Sequence, residues 1–541
     1  MTVRCQPGLA ALLLALFATA CATVPAPIAA PQVETAQGRV SGARAGTIKV
    51  YRGIPYAAPP VGERRWRPPG PAPDWHGVRD ARAFGAACIQ PALPQQSLYF
   101  ERFAETSEDC LTLNVWAPRG ARDAPVIVWL HGGSLRIGGT GTPMYDGGNF
   151  ARRGAIFVSV NYRLGALGWL AHPELSAESP QGVSGNYGLL DQIAALRWVA
   201  ANIAAFGGDP DNVTVMGESA GALSVSYLLV APPARGLFDK AIVQSTNSRP
   251  FPALTRSVYG LPSAEAIGER TLTALGAPDL AAARAIEAQR LVDQTTRGGF
   301  SPQGTIDGTL LPLQIVDAFD RGTQAKVPVM TGINSGEIRA QRALLPPMPA
   351  SEAAYKSAVA GAQGELAPAF LDLYPWSKIE QSLLDMTRDG VYGWSTERVV
   401  RDQAAAGLPA YFYLFDHCYP AAHARDLCAF HAGELPFVFG HLTAADLPPN
   451  WPAPSRAEDA ALSRTMMDYW VSFAATGAPR SDSGPEWRSY GDGQAYMRFD
   501  HGAHAEADPL PGSFELHEAL ARRSKRAGKP WFLDFGLSGE R

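Results

Sequence analysis

The stretch VTVMGESAGALSV, Val213 to Val225, holds a serine, Ser219, between two glycines, Gly217 and Gly221. An apolar run (Val213, Val215, Met216) precedes it, and a helix-like run follows Gly221. This spacing fits a sharp strand-to-helix turn that lifts the serine hydroxyl clear of a sheet as a nucleophile. The glycines suit such a turn because backbone there passes close to backbone. In a chain with 54 glycines among 541 residues the pattern also arises by chance, so partner residues must decide. A serine hydroxyl is a weak nucleophile until a base takes its proton and an acid fixes the base's tautomer. Seven of the ten histidines follow Ser219: His417, His423, His431, His441, His501, His504 and His517. The last three lie in a polar C-terminal region and are weaker candidates. For the acid, TGINSGE puts Glu337 in a loop directly after an apolar run. Asp307 in TIDGTLLP competes, but an Asp-Gly pair there reads as a turn.

Several elements must position these groups. Apolar runs at Val126–Leu130, Ile156–Tyr162, Lys240–Ser245, Val327–Gly332 and Ala410–Phe415 read as buried strands. Leu189–Phe206 has apolar residues at helical spacing and ends at the turn-like GGDPDN. Continuous apolar strands alternating with helices predict an α/β chain with a mostly parallel sheet covered on both faces. The stretches 255–305 and 345–405 read as helical insertions over the site. No linker composition appears after residue 40, so one domain is expected over 37–538.

The chain resembles the type-B carboxylesterases of the carboxylesterase and cholinesterase family. The likeness rests on YRGIPYAAPPVGERRWRPP, SEDCLTLNVWAP, VWLHGGSLRIGG, VNYRLGALGWL, the segment GNYGLLDQ through GESAG, TGINSGE, FHAGELPFVFG and ALSRTMMDYWVSFAATGAP, in that order. It spans about residues 35 to 535. It implies an α/β-hydrolase fold with helical insertions covering the active site, and a serine esterase that needs no cofactor or metal. It carries the nucleophile onto Ser219, the acid onto Glu337 and the base onto His431, a choice that spacing alone left open. It also implies an oxyanion hole from the backbone N–H groups of Gly133, Ser134 and Ala220, with Ser134 replacing the family's usual third glycine. His131, at the start of that loop, reads as loop support. Glu218 would tune the imidazolium through its charge, and Ser245 would hydrogen-bond the acid. Arg65 and Glu108 align with a buried ion pair, and Cys88 and Cys110 with the family's first disulfide.

The N-terminal run GLAALLLALFATA, Gly8 to Ala20, is too short to span a bilayer and reads as a signal-peptide core over 1–20. LFATAC is similar to a bacterial lipobox, which makes Cys21 a lipidation site followed by a Pro/Ala-rich tether, 21–36. Plain secretion into the periplasm or medium is the alternative. Beyond Cys5 and Cys21 four cysteines remain, Cys88, Cys110, Cys418 and Cys428, an even number that suits disulfides in an exported chain. Three pairings are possible, and the local one, Cys88–Cys110 with Cys418–Cys428, is the simplest. No C-x-x-C or H-E-x-x-H spacing favours a metal, and with a net charge of −4 and no basic block nothing points to nucleic acid. The expected partner is a small-molecule ester, and the only membrane contact expected is the lipid. The 88–110 loop has Tyr99 and Phe100 but no tryptophan, and Ile338 and Arg339 follow Glu337 where cholinesterases carry glycine and aromatics. Both departures argue against choline esters. A carbamate, lactone, thioester or xenobiotic ester is the alternative substrate, and a non-catalytic binding module the remote one.

Overall fold

The computed structural model describes residues 1–2, 30–491, 493–532 and 536–537. Cys21 and nearly all of the expected signal segment lie outside the described residues. An eleven-stranded sheet forms the centre. Its strands are β1 (Ala43–Ala45), β2 (Ile48–Pro55), β3 (Thr112–Pro118), β4 (Ala124–Leu130), β5 (Ile156–Val160), β6 (Gly208–Glu218), β7 (Lys240–Gln244), β8 (Val329–Asn334), β9 (Ala410–Phe415), β10 (Ala495–Phe499) and β11 (Ala503–Ala507). The spatial order is β1-β2-β3-β5-β4-β6-β7-β8-β9-β10-β11. Seven neighbours, β5 through β10 in that order, run parallel, and the pairs at both margins are antiparallel.

Burial on both faces explains the continuous apolar strands. Along β4, Val126, Val128 and Leu130 enter one core while Ile127 and Trp129 enter the other. Successive side chains of a strand point to opposite faces, so a strand covered on both must be apolar throughout. One core takes in α1 (Tyr187–Asn202) and α2 (Ala220–Val230), and the other takes in α3 (Ala457–Thr476). The expected insertions are helical: 264–274, 280–285 and 288–297 in the first, and 352–363, 367–373, 379–388 and 394–405 in the second.

Two boundaries differ from expectation. A strand at Gln32–Thr35 pairs with Gly38–Ser41, so the folded body begins inside the stretch read as a tether, and its start moves from 37 to 32. Val33 alternates inward there and is buried, a period-two signal hidden among prolines and alanines. All of the GGDPDN segment after Gly207 belongs to β6, whose pairing with β4 shifts register between Gly208 and Val213. The turn-like residues sit at that irregularity.

Candidate active site

The expected nucleophile, acid, base, oxyanion residues and Ser245 follow the carboxyl ends of adjacent parallel strands. Gly133 and Ser134 follow β4, Ser219 and Ala220 follow β6, Ser245 follows β7, Glu337 follows β8 and His431 lies on the loop after β9. Open parallel sheets hold ligands at such ends, where the order of strands reverses.

The Ser219 turn is strained by sterics. Its φ is +56° and its ψ −121°, a conformation that side-chain-bearing residues avoid. A Cβ on Gly217 would lie 2.4 Å from the Gly221 carbonyl, and one on Gly221 would lie 2.0 Å from the Leu130 oxygen. No other residue fits either place. The Ser219 N–H donates to Gln244 O at 2.9 Å, which ties the turn to β7.

Three side chains form a relay. Ser219 Oγ donates to His431 Nε2 at 2.8 Å, and His431 Nδ1 donates to Glu337 Oε2 at 2.5 Å. Glu337 is fully buried, and its Oε1 accepts from Ser245 Oγ at 2.6 Å and from the Asn334 N–H at 2.9 Å. The His431 loop is fastened to the Glu337 loop: Gly336 N–H donates to Ala429 O at 3.0 Å, and Asn334 Nδ2 to Phe430 O at 2.8 Å. Tyr99 Oη donates to the His431 carbonyl at 3.2 Å.

Charge is concentrated around the imidazole. Burial alone would lower the His431 pKa, but the Glu218 and Glu337 carboxylates outweigh it and raise the value to about 9. Glu218 Oε1 stands 3.2 Å from His431 Nε2, and burial raises its own pKa to about 8. Positive charge on His431 is therefore favoured, as proton transfer from a serine requires.

The N–H groups of Gly133 and Ser134 have no acceptor among the described residues. Gly133 is at φ +102° and Ser134 at φ +57°, so Ser134 accepts the same left-handed backbone a third glycine would take. Ala220 opens α2, where the first N–H groups have no partner within the helix.

These groups meet in a cavity of about 500 Å³ lined by Ser219, His431, Glu218 and Gly132–Ser134, with walls of Tyr99, Phe100, Phe103, Met144, Tyr145 and Trp451. Glu101 also lines it, its pKa raised to about 7 by burial. Trp451 corrects one inference: the 88–110 loop has no tryptophan, but a loop more than three hundred residues away supplies one.

The remaining histidines do other work. His417 Nε2 pairs with Asp459 at 2.7 Å, His441 contacts Asp146 O, and His423 is exposed. His504 pairs with Asp500, and burial lowers the His517 pKa to about 4. His131 stacks on Tyr162, and burial keeps it neutral, with its pKa lowered to about 4, in line with a supporting role. Asp307 Oδ1 accepts from the N–H groups of Thr309, Leu310 and Leu311, a turn as expected. Arg65 grips Glu108 through two hydrogen bonds at 2.8 and 2.6 Å. Cys88 bonds to Cys110 and Cys418 to Cys428, with Cα separations of 5.0 and 4.5 Å. Among the described residues no group of three His, Cys, Asp or Glu side chains is arranged to hold a metal.

Two features escaped sequence reasoning. Tyr392 stacks on His431 with ring centres 4.8 Å apart, carried by a π-helical turn at Asp389–Gly393. Such a turn leaves no plain sequence signature, though it recurs at functional sites. Glu434 accepts from Gln244 at 2.8 Å and Asn334 at 2.6 Å. Its spacing from His431 gave no hint that it would lie beneath the relay.

The sheet and its flanking helices are those of an α/β-hydrolase. The chain belongs to the carboxylesterase family, whose model matches residues 29–511. It is 38% identical over 469 residues to the fumonisin B1 esterase of Sphingopyxis macrogoltabida, covering 84% of this chain and 83% of that one. It is 36% identical over 471 residues to the para-nitrobenzyl esterase of Bacillus subtilis, covering 85% and 92%. Among solved structures, a PNB esterase superposes with a TM-score of 0.76 at 32% identity over 90% of this chain and 99% of that one. A Geobacillus stearothermophilus carboxylesterase gives 0.74 at 33% over 92% and 100%.

Proposed function

We propose that this carboxylic-ester hydrolase works by two-step acyl transfer, with Ser219 as nucleophile, His431 as general base and then acid, and Glu337 as the group that orients the imidazole. The observation that carries this reading is the unbroken Ser219–His431–Glu337 relay opening on the cavity. Ser219 Oγ attacks the ester carbonyl while His431 Nε2 takes its proton. Negative charge builds on the carbonyl oxygen, where the Gly133, Ser134 and Ala220 N–H groups receive it. A single such donor is worth roughly 3 kcal/mol. The alcohol departs with the proton from His431. Water then attacks the acyl-serine by the same route and the acid leaves.

Relatives named for fumonisin B1 and para-nitrobenzyl esters support an ester substrate. The apolar walls suit small and medium esters. The two disulfides suit an exported protein, and lipid attachment at Cys21 is part of the same proposal. The test is hydrolysis of p-nitrophenyl esters of increasing chain length, with pre-steady-state kinetics. A burst of nitrophenol close to one equivalent supports an accumulating acyl-enzyme. Absence of turnover on every ester would overturn the reading.

A further inference from the structure

Two hydrogen bonds hold the His431 imidazole, one at each nitrogen: Nδ1 to Glu337 Oε2 and Nε2 to Ser219 Oγ. Both act at the ring's edge. Together they fix a line through the ring but oppose little of its rocking about that line. The side-chain torsion of a histidine that sets this rocking is intrinsically soft. The backbone of the loop is fastened at Ala429, Phe430 and the His431 carbonyl, but none of those bonds touches the ring.

Tyr392 supplies a contact on the ring's face. Its own ring lies over the imidazole with centres 4.8 Å apart and planes 24° apart, a stacked geometry. The tyrosine is itself immobilised. It is 5% exposed, and its Oη donates to Gln341 Oε1 at 2.7 Å. The π-helical turn that carries it, Asp389–Gly393, is anchored through Asp389. Asp389 Oδ1 accepts from Arg388 Nε at 2.7 Å, and Oδ2 accepts from Tyr374 Oη at 2.8 Å. Arg388 also reaches the loop of the acid, where its Nη1 donates to Ser335 O at 3.2 Å, two residues before Glu337. One turn therefore braces the ring of the histidine and the loop of its carboxylate partner. Tyr392 is not among the described residues that line the cavity, although Gln341 is. Its ring meets His431 rather than a bound ester.

We propose that Tyr392 is a positioning residue for ester hydrolysis: its ring stops the His431 imidazole from rocking and keeps Nε2 aimed at the Ser219 hydroxyl. This rests on the acyl-transfer reading above. Both steps of that reading pass a proton through His431 Nε2, so the brace serves acylation and deacylation alike.

The test measures kcat and KM for 4-nitrophenyl butyrate, with Tm as a check of folding. The enzymes compared are wild type, Tyr392→Leu, Tyr392→Phe, His431→Ala, and Tyr392→Leu combined with His431→Ala. Tyr392→Leu is expected to lower kcat about 10- to 100-fold, the range for a displaced catalytic group. KM should stay near its wild-type value, because both steps slow together and no wall of the cavity changes. Tyr392→Phe keeps the ring and loses only the bond to Gln341, so it is expected to recover most of the rate. In the double variant, loss of the ring should cost almost nothing beyond His431→Ala, since a group that acts through His431 has nothing left to position. If Tyr392→Leu folds poorly, Tyr392→Met fills the space without a ring and takes its place. Tyr392→Phe as slow as Tyr392→Leu would overturn the role of the ring. Losses that multiply in the double variant would mark general damage instead of positioning. A raised KM with kcat kept would make Tyr392 a substrate contact and overturn the brace. Wild-type kinetics in Tyr392→Leu, beside an inactive His431→Ala, would sink the brace alone. A fully active His431→Ala would sink the acyl-transfer reading itself.

Discussion

At the scale of single residues, the proposed triad is expected to act as a unit. Ser219→Ala is expected to lower kcat by about 10⁴- to 10⁶-fold with the fold kept, and His431→Ala by a similar factor. Combining the two should cost little more than either alone, and multiplying losses would show that they serve separate steps. Glu218 is expected to act differently, through its charge on the His431 imidazole 3.2 Å away. Its carboxylate is one of the groups raising the His431 pKa to about 9. Only neutral His431 can take the Ser219 proton, so activity falls as pH drops through the apparent pKa of this coupled pair. Glu218→Gln removes a negative charge that favours the imidazolium, so the acid limb of the kcat/KM profile should move to lower pH. An unmoved limb, or one displaced to higher pH, would contradict the electrostatic role.

At the scale of elements, loop geometry is the critical quantity. The Cys418–Cys428 bond closes a ten-residue loop just before His431, next to the contacts from Gly336 and Asn334. So short a loop contributes at most about 3 kcal/mol to global stability in the chain-entropy model. A base displaced by a fraction of an ångström loses far more in rate. The double change of Cys418 and Cys428 to Ser should therefore depress kcat out of proportion to a small fall in Tm, and a large fall in Tm with kcat kept would assign the bond to stability alone. This pairing was readable from the sequence because the two cysteines are close together. The Tyr392 stack was not, because it depends on a π-helical turn set by packing rather than by residue pattern.

At the scale of the whole molecule, the parallel strands were legible because burial on both faces leaves them apolar throughout. The Ser219 turn was legible because two glycines are sterically required there. His431 was not separable from His417 or His423 by spacing, since a loop can bring any of the three to the sheet's end, and only the likeness to a family chose it. The cavity walls were less legible still: Trp451 joins Tyr99 and Phe100 from a distant segment. For localisation, labelled fatty acid is expected to enter the full-length chain in a bacterium that makes lipoproteins, and Cys21→Ser should abolish that. A mature N-terminus downstream of Cys21 would instead make the enzyme soluble. The most direct test of the catalytic assignment is covalent. A chromogenic alkylphosphonate ester should react with the folded enzyme at one equivalent, abolish hydrolysis, and leave its phosphonyl group on the peptide containing Ser219, with labelling strongly slowed in His431→Ala. Label on another residue, or full activity in an enzyme labelled at Ser219, would contradict the assignment.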